Sequence, residues 1–150
     1  MLNMKALLNL LIIILSTSIL SGQETKTITG RIISEDFEPI PKAIIHNMDT
    51  ITLGSTDVDG YFNIEVPVET KELLLGFVAM EWTSVKIRDN CQNLEIIMMA
   101  DVIYDYISIK KINQKRYKRF KKLPKMHLQA FEQGIFKFCT PCISYIFKEY

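Results

Sequence analysis

Histidine is almost absent from this 150-residue chain, which carries only His46 and His127. A zinc hydrolase centre needs two or three convergent ligands beside an activating carboxylate. No H-E-x-x-H or related spacing occurs, so neither a metal nor another cofactor is expected. His46 falls within an expected strand and reads as a partly buried packing residue, while His127 lies in a short helical stretch of the C-terminal part. Glycine is sparse too, at 6 residues. None of them builds a glycine-rich phosphate loop or a G-x-S-x-G elbow, and no nucleophile has a base spaced to activate it. Catalysis is therefore not expected.

Long apolar runs are also missing. The most apolar stretch, Ala6 to Leu15, is spent by Leu20 and falls short of the roughly 20 residues that a spanning helix needs. Preceded by Lys5 and followed by the small, polar Ser16 to Gly22, it reads as a secretory signal peptide over residues 1–22, cleaved near Gly22-Gln23. No cysteine stands near that boundary, which argues against a lipid-anchored start. The chain is thus expected to be exported, and periplasmic or outer-membrane-associated.

Net charge is nearly nil, formally +1, yet this balance hides two opposite halves. Residues 23–105 hold 15 acidic and 6 basic side chains, net −9, and residues 106–150 hold 2 acidic and 11 basic, net +9. A chain so segregated either lays its tail on its own acidic part or engages an anionic surface elsewhere. The texture of the chain changes after Met99, which sets a domain over 23–100 and an extension over 101–150.

What the first part does contain is a series of short β-prone runs. Thr27 to Ile33 is β-branched, with a glycine that suits a bulge or a close backbone approach. Ser34 to Pro41 reads as an irregular loop. Ala43 to Met48 and Leu53 to Thr56 follow as strands. Asp57-Val58-Asp59-Gly60 then forms a tight turn, and Tyr61 to Val66 alternates with Phe62, Ile64 and Val66 on one face. An Asp-Gly pair between alternating runs predicts a β-hairpin, with Asp57, Asp59, Gly60 and Phe62 as its structural residues. Calcium binding at Asp57 and Asp59 is disfavoured, because an EF-hand places its glycine at position six and a glutamate at twelve, whereas Gly60 and Glu65 fall at four and nine. Lys71 to Met80 reads as a central strand, and Trp82 to Ile87 and Leu94 to Met99 complete a set of seven. Strands at such regular spacing predict an all-β, two-layer sandwich.

Four segments together resemble a known family. Thr29-Gly30-Arg31-Ile32, Glu38-Pro39-Ile40-Pro41-Lys42-Ala43, Gly54-Ser55-Thr56-Asp57-Val58-Asp59-Gly60-Tyr61-Phe62 and Gly76-Phe77-Val78-Ala79-Met80-Glu81 are similar to the recurring pattern of the carboxypeptidase regulatory-like domain, over roughly residues 27 to 99. The resemblance implies a seven-stranded, transthyretin-like Greek-key sandwich in a stand-alone exported form, without catalytic residues of its own. It also implies association with an outer-membrane transport system of the TonB-dependent type. The chain departs from the pattern at Lys42, where the family has glycine, and at Ala79-Met80, where it has glycine and an aromatic residue.

The extension changes texture. Lys110 to Lys125 contains nine basic residues and no acid. Tyr117, Phe120 and Leu123 sit three apart, near one side of a helix, and Pro124 and Gly134 bracket a second short helix, Lys125 to Gln133. The last part, Phe136 to Tyr150, is aromatic and β-prone. Lys115, Arg116, Lys118, Arg119, Lys121 and Lys122 are the expected contacts to an anionic membrane or polysaccharide surface, or to an envelope protein partner. Nucleic acid is disfavoured by export. The competing arrangement is a helix resting on the protein's own acidic sandwich.

Three cysteines allow one bridge and one free thiol. Cys139-Thr140-Pro141-Cys142 has the C-x-x-C spacing of thiol oxidoreductases, but nothing after Cys142 reads as the helix that would activate the first thiol. A structural bridge from Cys91 to Cys139 or Cys142 would staple the extension to the sandwich, and Cys91 to Cys142 is the preferred pairing. The functional expectation is a non-catalytic interaction module. The alternatives are a thiol–disulfide redox protein using Cys139 and Cys142, and a carbohydrate-binding module using exposed aromatics such as Trp82 or Tyr61.

Overall fold

In the computed structural model, which describes residues 24–150, two sheets face each other across an aliphatic core. The expected signal peptide lies outside the described residues. The first sheet has β1 (Thr25–Ser34) at its centre, flanked by β4 (Tyr61–Pro67) and β7 (Asn93–Met98). β1 runs antiparallel to β4 and parallel to β7. The second sheet has the order β3-β2-β5-β6-β8, formed by β2 (Ile44–His46), β3 (Thr52–Ser55), β5 (Glu72–Gly76), β6 (Thr83–Ile87) and β8 (Ile143–Ile146). All of its neighbouring pairs are antiparallel.

Period-two patterning explains which side chains meet. Ile28, Ile32, Phe62, Ile64, Leu94 and Ile96 from the first sheet pack against Ile45, Leu73, Leu75 and Val85 from the second, and all are buried. Each such side chain, fully removed from water, contributes on the order of 1.5–3 kcal/mol. Gly30 stands opposite Phe62 in the β1–β4 register. A Cβ there would lie 2.6 Å from the Phe62 ring and 2.1 Å from the Leu94 carbonyl oxygen, so this position has no room for a side chain.

Two expectations are corrected. The described residues hold eight strands rather than seven, because the extension returns to the sandwich and adds β8 beside β6. The Asp57–Gly60 turn is not a hairpin. β3 pairs with β2 in one sheet and β4 with β1 in the other, so the turn is a corner that carries the chain between layers. Asp57 Oδ1 caps it, accepting from the Asp59 and Tyr61 amides at 3.0 and 2.8 Å. Gly60 has φ +77°, and its carbonyl accepts the Ile32 amide at 2.8 Å. The same local cue, Asp-Gly after an extended run, serves both geometries; the partner of each strand is decided by tertiary packing.

Buried Thr56 links that corner to the loop before β2. Its hydroxyl donates to the Ile40 carbonyl at 2.6 Å and accepts the Ala43 amide at 2.8 Å. Lys42 and Ala79 adopt φ of 59° and 63°. These are the left-handed conformations that favour glycine.

The extension covers the outer face of the first sheet. α1 (Ile109–Phe120) leads through a short turn into α2 (Leu123–Glu132), which has its proline in the first turn. Gly134 follows with φ +74°. Leu123, Ala130 and Phe136 bury Ile33, Ile97 and Met99 in a second core. β7 is therefore covered on both faces, as its burial pattern shows.

Candidate functional site

α1 sorts its cations by type. Ile112, Arg116, Arg119 and Phe120 share one helical stripe, and that stripe turns inward. Arg116 is only 6% exposed, and Glu81, which meets it, only 4%. Arg116 Nη2 lies 2.9 Å from Glu81 Oε2, and its Nη1 donates to the Lys148 carbonyl at 3.0 Å. The guanidinium also stacks on the Tyr150 ring, 3.8 Å from its centroid. Arg119 bonds Glu81 Oε1 at 3.3 Å, the Ala100 carbonyl at 2.9 Å, and the Glu35 carboxylate. Burial opposes the charge on Arg119, but Glu35, Tyr104 and Glu81 outweigh it and hold its pKa above the ordinary value. Arg116 and Arg119 are thus corrected from outward contacts to internal anchors.

The outward side of α1 and of the turn that follows it is rich in lysine. Lys110, Lys111, Lys115, Lys118, Lys121 and Lys122 are exposed, and the helix carries no carboxylate. Lys115 and Lys121 lie over the rings of Tyr104 and Tyr117, at 5.3 and 5.0 Å from the centroids. The division follows side-chain chemistry. A planar guanidinium with five donors can satisfy a buried carboxylate from several directions, whereas the strongly hydrated ammonium is better left in water. The expected apolar edge is split accordingly: Leu123 is buried, Phe120 packs edge-on against Tyr145 and Phe147, and Tyr117 remains 45% exposed.

A disulfide joins Cys91 to Cys142, across 51 residues, with Cα atoms 5.8 Å apart. It fastens the start of β8 to the loop before β7, and the Arg88 amide donates to the Cys142 carbonyl at 3.0 Å. Cys139 is left as an exposed thiol. The C-x-x-C pair is therefore divided between a bridge and a free cysteine, an arrangement that does not form the intramotif disulfide a redox cycle requires.

Tyr145 of β8 reaches the free edge of β7, where its hydroxyl accepts the Ile97 amide at 2.7 Å. Burial holds this phenol's pKa far above its ordinary range, against the lowering effect of the Ile97 bond. Glu95, also buried, accepts the amides of Lys137 and Phe138 at 2.5 and 3.3 Å. His127 is fully buried, with Nε2 2.9 Å from the Phe138 carbonyl and 3.8 Å from Glu95 Oε2. Its Nδ1 has no hydrogen-bond partner. His46 lies at the sheet surface, with Nδ1 3.1 Å from the Thr50 carbonyl. Among the described residues, no group of three histidine, cysteine or acidic side chains is placed to hold a metal ion.

Of the aromatics considered for carbohydrate, Trp82 is 65% exposed and lies over Gly76, where a Cβ would come within 2.5 Å of its ring. Tyr61 is covered on one face by Arg31, 4.8 Å from its centroid.

Glu35, Glu95 and Tyr145 were not singled out by sequence reasoning, and Glu81 entered only as the last residue of a motif segment, with no partner assigned. Glu95 interrupts an apolar run, and nothing local distinguishes it from a solvent-facing acid. The inward arginines did leave a signal, because Arg116 and Arg119 share the spacing of Ile112, Phe120 and Leu123. No protein-family model matches the chain, and no curated protein matches it.

Proposed function

We propose that this protein is an exported, non-catalytic interaction module of the carboxypeptidase regulatory-like, transthyretin-like kind, whose docked extension presents a lysine face to an anionic envelope surface or an acidic partner protein. The observation that carries the reading is the sorting on α1. Its arginines are consumed internally by Glu81 and Glu35, and six lysines, four on the helix and two on the turn after it, stand outward with no acid between them. Such a face is held in position before any encounter, so binding need not order the helix.

The family reading draws support from local geometry. Lys42 and Ala79, at positions where the family pattern has glycine, both have positive φ. Gly30 leaves the space that Phe62 fills, which couples two of the quoted motif segments. The division of Cys139 from Cys142 favours this module over the redox alternative.

The test uses the chain from Gln23 onward, with its disulfide intact. Each lysine close to an anionic surface contributes about 1 kcal/mol, and the attraction is screened by salt. The protein should co-sediment with phosphatidylglycerol-containing vesicles, or capture a partner from envelope fractions, and be released by raised salt. The K110Q/K111Q/K115Q/K118Q/K122Q variant should lose that binding. Equal behaviour of wild type and variant in both assays would contradict the reading.

A further inference from the structure

A cavity of about 480 Å³ opens between the α1–α2 corner and β8. This volume lies within the roughly 300–1,000 Å³ of small-molecule sites. Its walls are apolar, built from Phe120, Leu123, Pro141 and Ile143. Leu123 and Ile143 are buried members of the two cores, so the walls are fixed by the packing that holds the extension in place.

Pro124, Ser144 and Tyr145 also line it, together with His127 and two cations, Arg88 and Lys121, and no carboxylate takes part. Arg88 and Lys121 are both exposed, and so stand at the mouth. Among the described residues neither has a carboxylate partner; Lys121 lies only over the Tyr117 ring, and only the backbone of Arg88 is bonded. At the back, His127 is completely buried and its Nδ1 is unpartnered. An apolar chamber with uncompensated positive charge at its mouth is complementary to an amphiphile with one anionic end.

We propose that this cavity binds a small single-chain amphiphile with a carboxylate head, its apolar body against Phe120, Leu123, Pro141 and Ile143 and its head at Arg88 and Lys121. The site shares only Lys121 with the lysine face, and K110Q/K111Q/K115Q/K118Q/K122Q leaves its lining residues unchanged, so each can fail without the other.

The test is titration of the folded, disulfide-intact chain with decanoate below its micelle concentration, followed by calorimetry and by the NMR signals of the His127 ring. Saturable one-site binding that shifts those signals is expected, with decanol binding about ten- to a hundredfold more weakly, the range that a charge-assisted contact supplies. R88Q should weaken decanoate by a similar factor and leave decanol unchanged. S144W, which places a bulky ring on an exposed lining position, should abolish both. Equal affinity for decanoate and decanol, shifts scattered over the surface without saturation, or undiminished binding to S144W would overturn the proposal.

Discussion

Arg116 gives two donors to a single oxygen of Glu81: Nε at 3.0 Å and Nη2 at 2.9 Å both meet Oε2, while Arg119 Nη1 reaches Oε1. Both carboxylate oxygens are therefore occupied by cations from α1, although Glu81 itself belongs to the segment between β5 and β6. This pair is the polar hinge pin between sandwich and extension.

Its removal from one side leaves the other side buried and uncompensated, which costs about 3–5 kcal/mol. E81Q should accordingly lower the unfolding free energy by several kcal/mol in urea titration. K118Q, on the outward face, should stay within about 0.5 kcal/mol of wild type. Similar small effects for both substitutions would show that Glu81 does not hold the helix.

A left-handed conformation costs a non-glycine residue about 1–2 kcal/mol, part of which glycine gives back through its freer unfolded chain, roughly 0.4–1 kcal/mol. Ala79, at φ 63°, should therefore tolerate glycine with a net gain of about 0.5 kcal/mol. Gly60 should not tolerate the reverse change: at φ +77°, a Cβ would stand 2.4 Å from the Ile32 carbonyl oxygen. G60A is expected to lose 2 kcal/mol or more, about the cost of combined strain and a displaced backbone. Thermal unfolding of the two variants gives opposite signs if this holds.

Much of the sandwich could be read from residues whose role is local. The alternation of Phe62, Ile64 and Val66 sets one face of β4, and Pro124 and Gly134 bracket α2 within a residue or two. What escaped was whatever depends on distant partners. The Asp57–Gly60 turn has the same local chemistry whether its strands pair with each other or with β1 and β2. Ile143 to Ile146 is β-prone in isolation, but only the free edge of β6 makes it an eighth strand. The opposite charges of tail and domain suit either a contact between them or an anionic surface elsewhere, and they do not distinguish Arg116 and Arg119 from the lysines between them, because burial is set by the helix stripe and by Glu81.

Tyr145 supplies a pH signature. Its pKa is raised above the ordinary 10.0 by burial, so the folded state holds the neutral phenol. The associated stability is complete below pH 10 and is lost as pH rises beyond it, since the unfolded chain then ionises first. Y145F should be less stable at neutral pH by about 1–2 kcal/mol, because the Ile97 amide loses its acceptor, yet it should lose less further stability between pH 9 and about 11. Parallel alkaline losses in the two proteins would exclude Tyr145 as the source.

The extension is built into the sandwich rather than hanging from it. Peptide mapping of the non-reduced protein after alkylation tests this most directly. It should recover Cys91 linked to Cys142, with Cys139 alkylated. A Cys139–Cys142 bridge, leaving Cys91 alkylated, would contradict both the docked extension and the non-redox role assigned to its cysteines.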